Sequence, residues 1–239
     1  VSVSLDGIGK MHDVIRGTPG AFEKTSSTIL GLKKLQKRYR FWLMAGIMIC
    51  RKNLYQIKKA KQWCQDREIP FNCQLIGFHE SYVQNIGTKS ELDFWEKDKE
   101  HLYSFLRYLA ENPAPRDLRA WLKSYYWSDM LALYQGGRRK TPCPFLYDAF
   151  VLDSLGDVYY CLSVRKIGNC REDKNVSKIY YDSQNLAFRK QLSKTACRNC
   201  NSGCFVTSAI AKDFKKFAWF YFRSIPRVLK TTFKSSKKE

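Results

Sequence analysis

Five cysteines in the second half of the chain are spaced for metal chemistry. Cys197, Cys200 and Cys204 fall within the stretch ACRNCNSGC, and Cys143 and Cys161 lie upstream as C-x12-G-x4-C, with Gly156 between them. Two cysteines separated by two residues can direct both sulfurs at one ion or one cluster. The segments AFVLD (149–153) and VYYC (158–161) flank SLGD (154–157), which reads as a β-hairpin whose glycine takes the turn position. A hairpin brings its ends together, so Cys143 and Cys161 can meet near one point. Four thiolates from two loops make either a tetrahedral zinc set or a [4Fe–4S] cage. Cys204 is a fifth candidate that replaces Cys200 or stands free. Cys50, Cys64 and Cys73 lie in or beside apolar segments and read as small buried hydrophobes, while Cys170 follows a Gly-Asn turn and stays unassigned. The cysteine total of nine is odd and no secretory segment opens the chain, which argues against a disulfide framework.

The elements that must position these residues fall into two kinds. The segments VSVSL (1–5), FWLMAGIMIC (41–50) and FNCQLIGF (71–78) read as strands, the second as a strand covered on both faces. Between them, Thr18-Pro19 opens a helix carrying Phe22, Ile29, Leu32 and Leu35 on one face, and Asn53 caps a helix carrying Leu54, Ile57 and Trp63. Strand–helix alternation with such crossovers predicts a parallel sheet. From Ser90 the pattern turns helical: Ser90 to Asp93 (SELD) opens a helix to about Ala110, and the stretch ENPAP, from Glu111 to Pro115, breaks it. A second helix runs from Arg116 to about Tyr134, ended by Gly136-Gly137. The stretch RRKTP, from Arg138 to Pro142, reads as a linker. The last segment starts as a helix at Phe205, is interrupted at Pro226 and ends in a frayed Lys/Ser tail.

Net charge is +20, and residues 212–239 carry nine Lys/Arg against Asp213 and Glu239. Diffuse positive charge suits anionic partners without choosing among them. The aromatic run FAWFYF (217–222) beside lysines fits either a membrane interface or a helix packing its rings inward, and single-stranded nucleic acid has no recognition motif here. No run of eighteen apolar residues exists to span a membrane.

The stretch CPFLYDAFVLDSLGDVYYC from Cys143 to Cys161, then Ile167-Gly168-Asn169, then C-x2-C-x3-C resembles the auxiliary-cluster domain of radical S-adenosylmethionine enzymes, the SPASM domain and its shorter twitch relative. The opening stretch SVSLDG (2–7), His12-Asp13, Arg16-Gly17 and GAF (20–22) is similar to the fourth-strand region of that superfamily's barrel. The resemblance implies an α/β fold: the later part of a parallel-stranded partial (β/α) barrel over residues 1–89, a helical connector over 90–140, a small β-hairpin plus helix iron–sulfur domain over 141–205, and a basic aromatic helix and tail over 206–239. It implies that Cys143, Cys161, Cys197, Cys200 and Cys204 hold one auxiliary [4Fe–4S] cluster, as in the twitch version. Ser4, Asp6 and Arg16 would bind S-adenosylmethionine, while His12-Asp13 reads as a loop pair.

For the intact protein the resemblance implies an oxidoreductase or transferase. It would have a second [4Fe–4S] cluster, hydrogen abstraction by a 5′-deoxyadenosyl radical, a peptide or small-molecule substrate and an electron donor such as flavodoxin or ferredoxin. The implied setting is cytoplasmic, with peripheral contact at the inner membrane face through the basic tail. Two departures matter. Family members that mature sulfatases carry an Asp directly after the G-x4-C cysteine, where this chain has Leu162. The family's catalytic C-x3-C-x2-C is absent, since no Cys precedes Cys50. The expected explanation is a fragment that is inactive alone; a non-catalytic partner subunit is the alternative within the family. Outside it, the rival is a zinc-knuckle protein that binds nucleic acid.

Overall fold

The computed structural model describes residues 1–113 and 117–235, with side chains through residue 225. The chain divides into two compact units, Val1–Ile76 with Lys89–Leu102, and Gly77–Thr88 with Tyr103–Glu239.

The first unit is an α/β layer. Strands β1 (Ser2–Ser4), β2 (Met44–Ile49) and β3 (Phe71–Leu75) form a parallel sheet in that order, with Val3 opposite Ala45 and Ile47 opposite Cys73. Helices α1 (Lys10–Arg16) and α2 (Ala21–Leu35) join β1 to β2, and α3 (Ile57–Gln65) joins β2 to β3. Leu5, Ile29 of α2, Ala45 of β2 and Cys64 of α3 share one core cluster, so both crossover helices cover the same face of the sheet. The apolar run 41–50 is therefore not covered on both faces. Burial alternates along β2: Ala45, Ile47 and Ile49 are buried while Met48 is 44% exposed, as the two-residue strand period dictates for a one-sided layer. Cys50, Cys64 and Cys73 are buried here, as small hydrophobes.

Several helix starts differ from the sequence pattern. Helix α2 begins after Gly20, not at Thr18-Pro19, because the Asp13 carboxylate accepts the Gly20 and Phe22 N–H groups at 2.9 and 2.7 Å. His12 and Asp13 thus lie on helix α1 rather than in a loop. Asn53 does not cap α3. Its amide is buried and spans two strand ends, donating to the carbonyls of Asp6 and Met48 at 3.0 and 2.8 Å. After α4 (Lys89–Leu92), α5 (Lys99–Glu111) starts late because the Asp98 carboxylate accepts the Trp95 N–H at 3.0 Å, placing the cap there instead of at Ser90.

The second unit contains α6 (Leu118–Tyr134), which Asp117 caps, and an antiparallel sheet of β4 (Val151–Leu152), β5 (Asp157–Tyr159) and β6 (Lys166–Asn169). The expected hairpin is there, turned by Gly156 at φ 88°, and β6 adds a third strand. The Ile167-Gly168-Asn169 motif has a packing reason. A Cβ on Gly168 would lie 2.6 Å from Ile179, and the Asn169 amide clasps the hairpin through Asp157 at 2.6 Å. Helices α7 (Val176–Tyr181) and α8 (Ser183–Lys194), the helical part of the expected hairpin-plus-helix domain at positions the residue pattern did not mark, cover this sheet around fully buried Tyr160, whose hydroxyl donates to the Tyr180 carbonyl at 2.8 Å.

The chain ends in α9 (Val206–Lys212) and α10 (Phe214–Ser235). The backbone of α10 is helical across Pro226, where an interruption was expected; a proline removes one backbone donor and need not end the helix. The aromatics of α10 divide between two faces. Phe217, Phe220 and Tyr221 meet Tyr125 and Trp121 of α6, while Trp219 and Phe222 are 65% and 71% exposed. The expected break at 111–115 and the frayed tail fall partly or wholly outside the described residues. Among the described residues no helix is long and apolar enough to cross a membrane.

Candidate metal centre

Each cysteine of the second unit leaves a short element at a fixed point. Cys143 precedes a 3₁₀ turn, Pro144–Leu146, whose proline sits where a helical turn lacks N–H partners anyway. Cys161 follows β5 by two residues. Cys197 lies in the 3₁₀ turn Ala196–Asn199 that ends α8, and Cys200 follows that turn. Cys143, Cys161, Cys197 and Cys200 all line one cavity of about 40 Å³, more than the roughly 10–15 Å³ that one water needs. Leu162, Ser163, His79, Arg139 and Arg189 complete much of its wall. Cys204 is half-buried and does not line it. Cys170 packs against the sheet core instead.

Helix α6 holds both cysteine-bearing segments from behind. The buried Asp129 carboxylate accepts from the Lys140 and Thr141 N–H groups and from the Thr141 hydroxyl, with the Thr141 contacts at 2.7 Å. The expected linker 138–142 is thus a fixed segment leading into Cys143. Tyr126 donates its hydroxyl to the Asn201 carbonyl at 2.6 Å, fixing the chain just past Cys200. Arg139 joins the two segments. Its guanidinium donates to the carbonyls of Thr141 and Pro142 on one side, and of Cys200 and Ser202 on the other, at 2.8 to 3.3 Å. Asp129 escapes sequence reading because a single carboxylate among the apolar residues of α6 marks no partner, and Arg139 because a charge in the polar run RRKTP looks solvated.

Burial pushes the Cys161 thiol up to about 11 and the Cys197 thiol up to about 12, and it raises Cys143 as well, against the pull of the Arg139 cation. Such thiols stay protonated without a cation, and a bound metal reverses that balance. Across the cavity, burial lowers the His79 pKa, and its Nδ1 lies 2.7 Å from the Ser163 hydroxyl. Among the described residues no three His, Cys, Asp or Glu side chains are grouped closely enough for one metal ion. An ion draws its thiolates to within about 2.3 Å of one point, whereas a cluster spreads them over the corners of a cage.

In the first unit, Asp6 is buried just beyond β1 and fully engaged. One carboxylate oxygen takes a 2.6 Å ion pair from Arg16 and the other accepts the Met48 N–H at 3.0 Å. Its own N–H donates to Nδ1 of buried His12 at 3.0 Å, and burial lowers the His12 pKa. The structure therefore brings Asp6 and Arg16 together, while Ser4 is exposed at the end of β1.

Residues 143–201 match the SPASM family, an iron–sulfur cluster-binding domain. No curated protein matches the chain. Among solved structures, native anSMEcpe with bound AdoMet and Kp18Cys peptide is similar at 18% identity and a TM-score of 0.51, covering 98% of this chain and 69% of that one. Native anSMEcpe with bound AdoMet aligns at 17% identity and a TM-score of 0.49, covering 97% and 67%. Residues 143–201 are thus similar to the SPASM iron–sulfur cluster-binding domain, and the chain shares its fold with anSMEcpe.

Proposed function

We propose that Cys143, Cys161, Cys197 and Cys200 hold one auxiliary [4Fe–4S] cluster, in a protein that modifies a peptide by radical S-adenosylmethionine chemistry. The carrying observation is that four cysteines from three separate turns line one cavity. The similarity of residues 143–201 to an iron–sulfur cluster-binding domain supports a cluster over the single zinc of the rival reading. When bound, the cluster supplies one-electron redox chemistry, and this chain's residues orient and enclose it. Tyr160, Leu162 and Leu192 wall the cavity with apolar surface and keep water out.

Asp6, Arg16 and Ser4 form the proposed S-adenosylmethionine contact. Asp6 is committed to its internal partners, so its part is to orient Arg16, whose side chain is 41% exposed and able to meet a carboxylate. Peptide as substrate class rests on the solved neighbour, which was determined with a peptide bound. Because Leu162 stands at the cavity wall where sulfatase-maturing relatives have a carboxylate base, a reaction needing a base at that point is not part of the proposal.

The test is iron, acid-labile sulfide and zinc content of the anaerobically purified chain, beside a Cys161→Ala/Cys197→Ala variant. About four iron and four sulfide per chain, lost in the variant, are expected for a [4Fe–4S] cluster. One zinc without sulfide rejects the proposal.

A further inference from the structure

The cavity wall contains one side chain that reaches both cysteine-bearing segments. Arg139 follows the turn that ends α6 and donates Nε to the Thr141 carbonyl at 3.0 Å and Nη2 to the Pro142 carbonyl at 3.3 Å, immediately before Cys143. Its Nη1 donates to the Cys200 and Ser202 carbonyls at 3.3 and 2.8 Å. Its backbone N–H donates to the Arg198 carbonyl at 2.8 Å, between Cys197 and Cys200. These five bonds connect Cys143 to the Cys197–Cys200 turn, which is 54 residues away from it in sequence at its nearer cysteine. Only a guanidinium has the donor count and planar spread for this; an ammonium offers three donors from a single point.

We infer that Arg139 is the positioning residue of the auxiliary cluster: its guanidinium fixes the spacing between Cys143 and the Cys197–Cys200 turn, and its charge sits beside the cluster and favours the reduced state. The inference rests on the cluster reading above. A four-thiolate cluster is anionic and gains a further negative charge on reduction, so a half-buried cation in the cavity wall stabilises the reduced form more than the oxidised one. Two consequences separate. The spread of the fork governs how firmly iron is held, and the charge governs the potential.

The experiment uses the anaerobically purified, iron-loaded full chain with Arg139→Met, Arg139→Lys and, as a control for general loss of charge, Lys140→Gln. Lys140 joins the network only through its backbone N–H. The readouts are an EPR-monitored redox titration of the cluster and the rate of iron release to a chelator. Arg139→Met should lower the reduced-to-oxidised ratio at fixed potential about tenfold, equal to about 59 mV for one electron, and accelerate iron release. Arg139→Lys should keep most of the potential but still release iron about tenfold faster, and Lys140→Gln should leave both readouts at the wild-type level. Wild-type potential and release rate in iron-loaded Arg139→Met overturn the inference, as does an equal potential shift in Lys140→Gln. If Arg139→Met fails to fold, Arg139→Lys decides, and a wild-type release rate there overturns the strap. A wild-type chain without iron or sulfide overturns the cluster reading itself, a separate result.

Discussion

The two units each gather ionisable groups where short strands end, and they treat them in opposite ways. Around Asp6 every polar group finds a protein partner: Arg16 and the Met48 N–H take its carboxylate, while His12 and Asn53 take its backbone. Around the thiol cavity the backbone is equally well tied, by Asp129, Arg139 and Tyr126, yet the four cysteines line one cavity and meet weak donors, such as the Ser202 N–H at 3.4 Å from Cys200 Sγ. A buried polar network that closes on itself stabilises a fold, whereas a rigid frame that gathers several soft ligand atoms around one cavity suits a bound metal group.

The largest effect should come from the thiols. Cys200→Ala is expected to abolish iron and sulfide binding, whereas Cys204→Ala, outside the cavity wall, should retain near-wild-type content. Metal analysis of the two variants in parallel sharpens the contrast. Equal loss in both would move Cys204 into the ligand set and blur the boundary drawn here. The frame comes next. Asp129→Ala removes the acceptor for the Thr141 hydroxyl and for two backbone N–H groups, leaving buried donors unpaired, at a cost of about 3 kcal/mol. The denaturant midpoint of the second unit should fall accordingly. A midpoint within experimental error of the wild type would mean that segment 138–142 is a linker after all.

How much of this could be read from the sequence follows the same division. The C-x12-G-x4-C and C-x2-C-x3-C spacings carried the thiol site, because metal chemistry constrains which residue types stand at which intervals. The parallel sheet was legible because strand–helix alternation leaves few topologies. What was not legible are contacts made at long range by residues of ordinary appearance. Asp129 lies mid-helix in α6, Arg139 in a polar stretch, and Asn53 where a helix cap would be expected; each acts on backbone groups that no pattern in the sequence marks. The resemblance implied a helix in this domain, but the residues did not place α7 and α8, because α7 is short and α8 buries only Leu192, leaving a weak 3.6-residue pattern. Asp13 shows local signals competing: Thr18-Pro19 looks like a helix start, but a carboxylate from the preceding helix reaches the amides of α2 first.

In the first unit, Asp6→Ala should cost about 2 kcal/mol, since it leaves the Met48 N–H without its acceptor while half-exposed Arg16 turns to water. The smallest effect is one of pH and belongs to His12. Its ring is buried, accepts the Asp6 N–H at Nδ1 and meets the Thr25 hydroxyl at Nε2, 3.2 Å away. Burial lowers its pKa below the usual 6.5, with the Asp6 and Asp13 charges opposing the fall and Arg16 adding to it. A lowered value means that the unfolded chain binds the proton more readily, so the first unit's stability rises with pH. The His12 contribution is fully present above about 6.5, the unfolded value, and is lost as pH falls through the folded one. Asp13 is held ionised by the Phe22 and Gly20 N–H groups, so its own loss belongs to a more acidic range and does not overlap. Hydrogen exchange at the Leu5 and Met48 amides, followed from about pH 7.5 to 5.5 across the ordinary histidine range and corrected for intrinsic rates, should show protection declining in the wild type and nearly flat in His12→Gln. Equal slopes in the two proteins would place the titrating group elsewhere and leave the closed network of the first unit without its pH sensor.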